Sequence, residues 1–185
     1  EAMLVAEPDG EVKLYHNNSK KIETTSNGIT VTGRIKETAN PVFREYKTGS
    51  QSFASSTNTK VTFNAESFDI GNNFNHTNSR FTAPCNGYYQ FDVNLRFTIT
   101  SAGRCDAVLA KNGGFDNYYP SGGQNQTGNN DGGIQIHGIM YLASGDYVEV
   151  YANQNGGNAE NFGTTSNISN TGGITNWSGF LITEV

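Results

Sequence analysis

The chain has 185 residues, enough to close one hydrophobic core, and 79 of them are Asn, Gly, Thr or Ser, a turn-and-strand composition. Charged residues make up 16% and hydrophobic residues 35%, with 11 Phe and 9 Tyr, which excludes disorder driven by charge, and no window carries the 3.5 to 3.6 period of bundles and coiled coils. Twelve basic against 17 acidic residues, net charge -5, argue against a nucleic-acid surface, which needs clustered Lys and Arg, and no stretch reads as a membrane insertion or a secretory signal.

Short strands are predicted over 12–15, 20–25 and 28–35, separated by Asn17-Asn18-Ser19 and Ser26-Asn27-Gly28, where Asn and Gly tolerate positive φ. The apolar residues here are Val12, Leu14, Ile22, Ile29, Val31 and Ile35. At roughly 1.5–3 kcal/mol each they fall short of an ordering cost of roughly 1–2 kcal/mol per residue, so burial must come from other chains. A flexible tail is the alternative; regular alternation of strand and turn favours an intertwined shaft. Asn40-Pro41 marks the junction, because the residue before proline is pushed to extended geometry. The expected division is a β-rich shaft or attachment segment over 1–39 and a head over 40–185. Glu1 in place of an initiator Met suggests a processed chain or a piece of a longer one.

The head is expected to open with strands at 42–46, 60–64, 68–70 and 80–83. Over 89–100, Tyr89, Phe91, Val93, Leu95, Phe97 and Ile99 alternate with polar residues, a long strand with one buried face. Ser101-Ala102-Gly103 should turn it back as a hairpin into 105–111, which ends at Asn112-Gly113. A strand over 133–142 leads through Ala143-Ser144-Gly145 into 146–152, and the last runs over 175–184. Many short strands with this punctuation predict an all-β, two-sheet antiparallel jelly-roll sandwich.

Two strands are apolar on both faces. Ile134, Ile136, Met140 and Leu142 oppose Ile139 and Tyr141, while Trp177 and Leu181 oppose Phe180 and Ile182. Such a strand needs cover on both sides, one from the core and one from a partner, most simply another copy. Ile139, Tyr141, Trp177, Phe180 and Ile182 are the candidates for that interface.

If every connection reverses direction, the tight turns at 101–103 and 143–145 fall at one end and the long connections 113–132 and 153–174 fall together at the other. Loops of that length are usually functional. Their aromatic and amide residues, Phe115, Asn117, Tyr118, Tyr119, Asn125, Asn158, Phe162 and Ile168, are the candidates for receptor contact, unless the rings tuck under to pin the loops. The same hairpin places Cys85 about 14 residues, roughly 45 Å, from Cys105, far beyond the ~7 Å a disulfide spans. No bridge is expected.

The order and spacing of Val61-Thr62-Phe63-Asn64, Phe81-Thr82-Ala83-Pro84-Cys85-Asn86-Gly87-Tyr88-Tyr89-Gln90-Phe91, Leu142-Ala143-Ser144-Gly145-Asp146-Tyr147-Val148 and Trp177-Ser178-Gly179-Phe180-Leu181-Ile182 resemble the complement C1q-like globular head over 41–185. The resemblance implies a ten-strand jelly roll of the tumour-necrosis-factor kind, assembled as a homotrimer with apolar strands along the three-fold axis. The first 39 residues lack the Gly-X-Y period of an animal collagen stalk. Instead, Asp9-Gly10-Glu11-Val12-Lys13-Leu14-Tyr15, Asn18-Ser19-Lys20-Lys21-Ile22-Glu23-Thr24-Thr25 and Gly28-Ile29-Thr30-Val31-Thr32-Gly33 look like the short β segment that recurs in phage tail-fibre and appendage proteins. Family members sometimes hold Ca²⁺ near the trimer apex, and Asp116 and Asp131 are the residues here that could contribute; otherwise no cofactor is expected.

No G-x-S-x-G, H-E-x-x-H or phosphate-loop pattern occurs, and His16, His76 and His137 are dispersed, so an enzyme is not expected. The expected function is a non-enzymatic, trimeric phage virion appendage, a tail-fibre tip or adhesin. It would attach to other virion proteins through 1–39 and contact a host surface receptor, a glycan or a protein. A structural capsid decoration or fibre-trimerisation module is the alternative.

Overall fold

The computed structural model describes residues 3–36, 39–116, 118–128, 130–162 and 174–185, and among them there is no helix. Two compact units divide at Thr38 and Ala39. In the first, Asn17 and Asn18 at positive φ and Gly28 at +134° turn the chain between the strands β1 (Leu4–Ala6), β2 (Val12–His16), β3 (Ser19–Thr25) and β4 (Gly28–Val31). These form one antiparallel meander in sequence order. None of its described side chains is buried, and Val12, Leu14, Ile22, Ile29 and Val31 stay exposed.

The second unit contains β5 (Val42–Tyr46), β6 (Gln51–Phe53), β7 (Thr59–Lys60), β8 (Ala65–Ile70), β9 (Phe74–Asn75), β10 (Arg80–Thr82), β11 (Gly87–Ile99), β12 (Ala102–Lys111), β13 (Ser121–Thr127), β14 (Asn130–Leu142), β15 (Tyr147–Gln154), β16 (Glu160–Phe162) and β17 (Asn176–Glu184). They make two antiparallel sheets. In the first, β14 pairs one edge of β11 along its whole length; on the other edge lie β17, β5 and β8 in turn, with β16 and β6 continuing beside the 97–98 end. The second sheet runs β13, β12, β15, with β7 and the pair β10–β9 lying along β15.

Between the sheets the period-two faces meet. Phe43, Phe63, Phe74, Phe81, Phe91 and Trp177 interlock, with Trp177 edge-on to Phe43 at 5.3 Å and to Phe74 at 5.4 Å. Rings in such offset and T-shaped contacts add about 0.5–1.5 kcal/mol per pair beyond their buried area.

The expected 89–100/105–111 hairpin does not form. After Ile99 the chain crosses to the other sheet, so β11 and β12 stack across the core rather than pair. The crossing is held by the buried carboxylate of Glu160, which accepts the Thr100 and Ser101 N–H groups at 2.9 and 3.2 Å and the Thr100 hydroxyl at 2.9 Å. Turn 143–145 is also a crossing, from β14 to β15. Both cysteines are free, as expected, although the hairpin used to separate them is absent.

The end assignment changes with it. Leu142 and Glu184 lie opposite Gly87, whereas Asn130 lies opposite Ile99, so turns 101–103 and 143–145 sit at opposite ends. Within the expected loop 113–132, β13 pairs β12 from Ala102–Thr127 to Val108–Ser121. That extra strand reverses the chain once more and separates the two long connections: 112–120 lies at the end of Ala143 and the C-terminus, 155–159 at the end of Ser101.

Candidate functional site

Two surfaces of the head could recognise a partner. The first is the outer face of the β14–β11–β17–β5–β8 sheet, whose register sets side chains in rows. Ile139, Gln90, Phe180, Val42 and Ile70 form one row, and Tyr141 pairs Tyr88 beside it at 5.6 Å between rings. The next row is His137, Asp92, Ser178, Arg44 and Phe68, in which His137 Nδ1 lies 2.7 Å from Asp92 Oδ1. The row beyond is Gln135, Asn94, Asn176 and Tyr46. The face is therefore apolar toward the C-terminal end and polar toward the other. Tyr88, Ile139, Tyr141, Phe180, Ile182, Phe68 and Ile70 are each more than 40% exposed, a contiguous patch of the kind that marks an interaction surface.

The second surface is a groove of about 460 Å³ on the outer face of the other sheet. It exists because β13 carries Gly123 on this face, so the Arg104–Asp106 pair, 2.7 Å apart, lies across bare backbone. A Cβ on Gly123 would stand 2.1 Å from Asp106 Oδ1 and 2.5 Å from Arg104 Nη2. Asn153 and Asn58, joined by a 2.7 Å hydrogen bond, form the opposite wall, and Ser121 and Tyr151 close one end. Tyr151 meets Phe115 edge-on at 5.0 Å and donates its hydroxyl to Glu149 at 3.2 Å. Glu149 is buried and takes Arg80 at 2.9 Å and Lys60 at 3.2 Å, which makes the support under Tyr151 rigid. Burial first, and then the Glu149 carboxylate, push the Tyr151 phenol up, so it remains a neutral donor.

The C1q domain family matches residues 43–182. The chain belongs to the C1q-domain family. Its fold is shared by the globular domain of a zebrafish complement 1qA protein, with 17% identity, a TM-score of 0.55, and 78% of this chain and 99% of that one covered. It is shared too by the Eiger tumour-necrosis-factor protein of S. frugiperda, with 9% identity, a TM-score of 0.54, and coverage of 78% and 95%. No curated protein sequence matches the chain.

In this C1q head, Ile139, Tyr141, Phe180 and Ile182 all lie on the apolar outer face. Trp177 does not; as the second residue of β17 it points into the core and is fully buried. The sequence reading missed Tyr88, Phe68 and Ile70, although Tyr88 stands out of phase with the buried face of its own strand.

The receptor-contact candidates are dispersed. Phe162 is fully buried and stacks on Phe53 at 3.8 Å, so it anchors β16 rather than meeting a ligand. Tyr119 packs against the core, whereas Tyr118 is 93% exposed. Asn125 is exposed on β13, and Asn158 at the far end donates to Ser101 Oγ at 2.7 Å. Phe115 adjoins the groove through Tyr151, and Asn125 lies opposite its lining residue Arg104 in the β12–β13 register. Asn117, Ile168 and the side chain of Asp131 lie outside the described residues. Asp116 accepts from the Tyr118 N–H at 3.1 Å within its own loop. It follows Lys111, whose ammonium reaches the Tyr141 carbonyl at 3.1 Å, whereas Asp131 pairs Thr98. Ten residues of β14 at about 3.3 Å each separate Asp131 from Tyr141, so the backbone does not bring Asp116 and Asp131 together within one chain.

Proposed function

We propose that the head assembles as a homotrimer through the outer face of the β14–β11–β17–β5–β8 sheet and works, without catalysis, as the tip of a phage virion appendage that binds a host surface glycan. The observation that carries the assembly is the one-sided apolar patch from Tyr141 and Ile139 through Phe180 to Ile70, in which β14, β11, β17 and β5 already fill the core with their other faces. Packing three copies by this face leaves the second sheet and its groove outward. The groove suits a sugar, which offers hydroxyls to planar amide, carboxylate and guanidinium groups and an apolar face to a ring; here those are Asn58, Asn153, Asp106, Arg104 and Tyr151. None of the three histidines lines it. The N-terminal meander, with its apolar residues exposed, supports attachment to other virion proteins.

Sedimentation equilibrium of the full chain should give three times the chain mass, and Phe180→Asp should give monomer, because an unpaired buried charge costs several kcal/mol. A monomeric wild type overturns the assembly. Glycan-array binding that is lost in a Tyr151→Ala, Asn153→Ala variant still trimeric in solution supports the groove; unchanged binding removes it. Imaging of the virion separates fibre ends from capsid lattice positions.

A further inference from the structure

A second polar cluster lies away from both surfaces. Alternation along β5 turns the Glu45 side chain inward with Phe43, and an extra residue on β8, Ser67, sets Glu45 opposite Glu66. Glu45 is 0% exposed. His76, in the turn between β9 and β10, lies over it with Nε2 2.5 Å from Oε2, its ring tilted against Phe74 at 5.5 Å between centroids. One ligand-type atom from each of Glu45, Glu66 and His76 lies within 4.8 Å of the other two.

An independent observation concerns what Glu45 lacks. Its Oε1 is sealed from solvent and has no hydrogen-bond partner, and neither does Oδ1 of nearby Asp69. Among the described residues, no Lys or Arg forms an ion pair with Glu45, Glu66 or Asp69. The other buried carboxylates of this head behave differently: Glu149 faces Arg80 and Lys60, and Glu160 faces backbone N–H groups. A buried carboxylate with a stranded oxygen costs several kcal/mol unless a cation completes it.

We propose that Glu45, Glu66 and His76 form a binding site for a divalent transition-metal ion of the zinc class. One imidazole nitrogen and two carboxylate oxygens, with water as the fourth ligand, are a donor set that such ions accept. Ca²⁺ would want about six to eight oxygens and gains little from an imidazole. Zinc at about 2.0 Å from each ligand holds them about 3.3 Å apart, a spacing different from the present one, in which His76 Nε2 stands 2.5 Å from Glu45 Oε2 and all three atoms lie within 4.8 Å of one another. Glu66 and the half-exposed His76 are at the surface and free to close that difference, and they provide the entry path to the buried Glu45. Burial pushes the Glu45 carboxyl up to about 7, against the pull of His76. The bound ion would tie β5, β8 and the β9–β10 turn together.

The test is calorimetric titration of the EDTA-stripped full chain with ZnCl2, alongside thermal unfolding and the visible spectrum of the Co²⁺ form. One equivalent per chain is expected, with a rise in melting temperature of about 5 °C or more near a hundredfold excess over Kd, and a tetrahedral Co²⁺ band. His76→Asn and Glu66→Gln should each weaken zinc binding at least ~10-fold. Glu45→Gln keeps the shape and removes the stranded charge, so it should fold with an unchanged or higher metal-free melting temperature and lose the zinc response. No zinc binding at about 0.1 mM, or variants that titrate like the wild type because His16 or His137 holds the ion, would overturn the site.

Discussion

Gly179 shows what single atoms decide in this fold. Placed where β17 passes over the core, a Cβ there would stand 2.6 Å from Phe91 Cδ1 and 2.7 Å from Phe43 Cε1. Neither ring can retreat, because Phe43 stacks on Phe81 at 4.9 Å and Phe91 meets Phe81 edge-on at 5.5 Å. Gly179→Ala should therefore lower stability by about 1–3 kcal/mol, read as a shift of the urea midpoint with little change of slope. The two thiols separate by the same logic of enclosure. Burial pushes the Cys105 thiol up to about 12, whereas Cys85 is partly open beside the Tyr89 hydroxyl. Iodoacetamide at neutral pH should label at most Cys85 in the folded protein and both after denaturation, counted by mass spectrometry; labelling of Cys105 without unfolding would contradict its enclosure. Residue-level facing was legible wherever apolar residues alternate: Ile139 against Met140, and Phe180 against Leu181, follow from period two alone. Trp177 was misplaced at the interface although its own phase sets it with Leu181, opposite Phe180 and Ile182.

At the scale of elements, legibility followed apolar content. β11, β14 and β17 announce themselves because each carries a row of large side chains into the core. β13 reads Ser-Gly-Gly-Gln-Asn-Gln-Thr and carries no apolar residue, so nothing in its pattern separates it from a loop. Its order comes from the backbone ladder with β12 and from the Gly133 N–H bonded to Gln124 Oε1 at 3.1 Å, long-range pairings that a local pattern does not encode. Missing it reversed the parity of the connections and hid the groove that Gly123 opens. The crossing from β11 to β12 was missed for a related reason: a tight turn looks alike whether its strands pair or part. What decides is Glu160, some 60 positions away, whose carboxylate satisfies two N–H groups and one hydroxyl of the turn. Glu160→Ala leaves these donors unpaired and should cost about 2–4 kcal/mol, with Glu160→Gln losing less because one acceptor remains. Hydrogen exchange at Thr100 and Ser101 should rise in Glu160→Ala more than at Val93 or Leu95, which locates the loss in the crossing.

For the molecule as a whole, the two units differ in what they can support alone. The unit from Ala39 to Val185 encloses a continuous aromatic core, whereas the described part of the unit before it has no fully buried side chain. Ordering its strands costs roughly 1–2 kcal/mol per residue, and half-exposed Val12, Leu14, Ile22 and Val31 return only part of the roughly 1.5–3 kcal/mol each would yield on full burial. A peptide of residues 1–38 should accordingly show no β signature by circular dichroism and no slowed amide exchange at low concentration. A chain beginning at Ala39 should melt cooperatively within a few degrees of the intact protein, since it keeps every side chain of the core. In the intact chain, amide protection over β2 and β3 should grow with protein concentration as copies bring their exposed apolar faces together. Protection that is already complete at the lowest concentration, in a monomer, would mean that the meander closes on itself without help and that its exposed leucines and isoleucines serve some other contact.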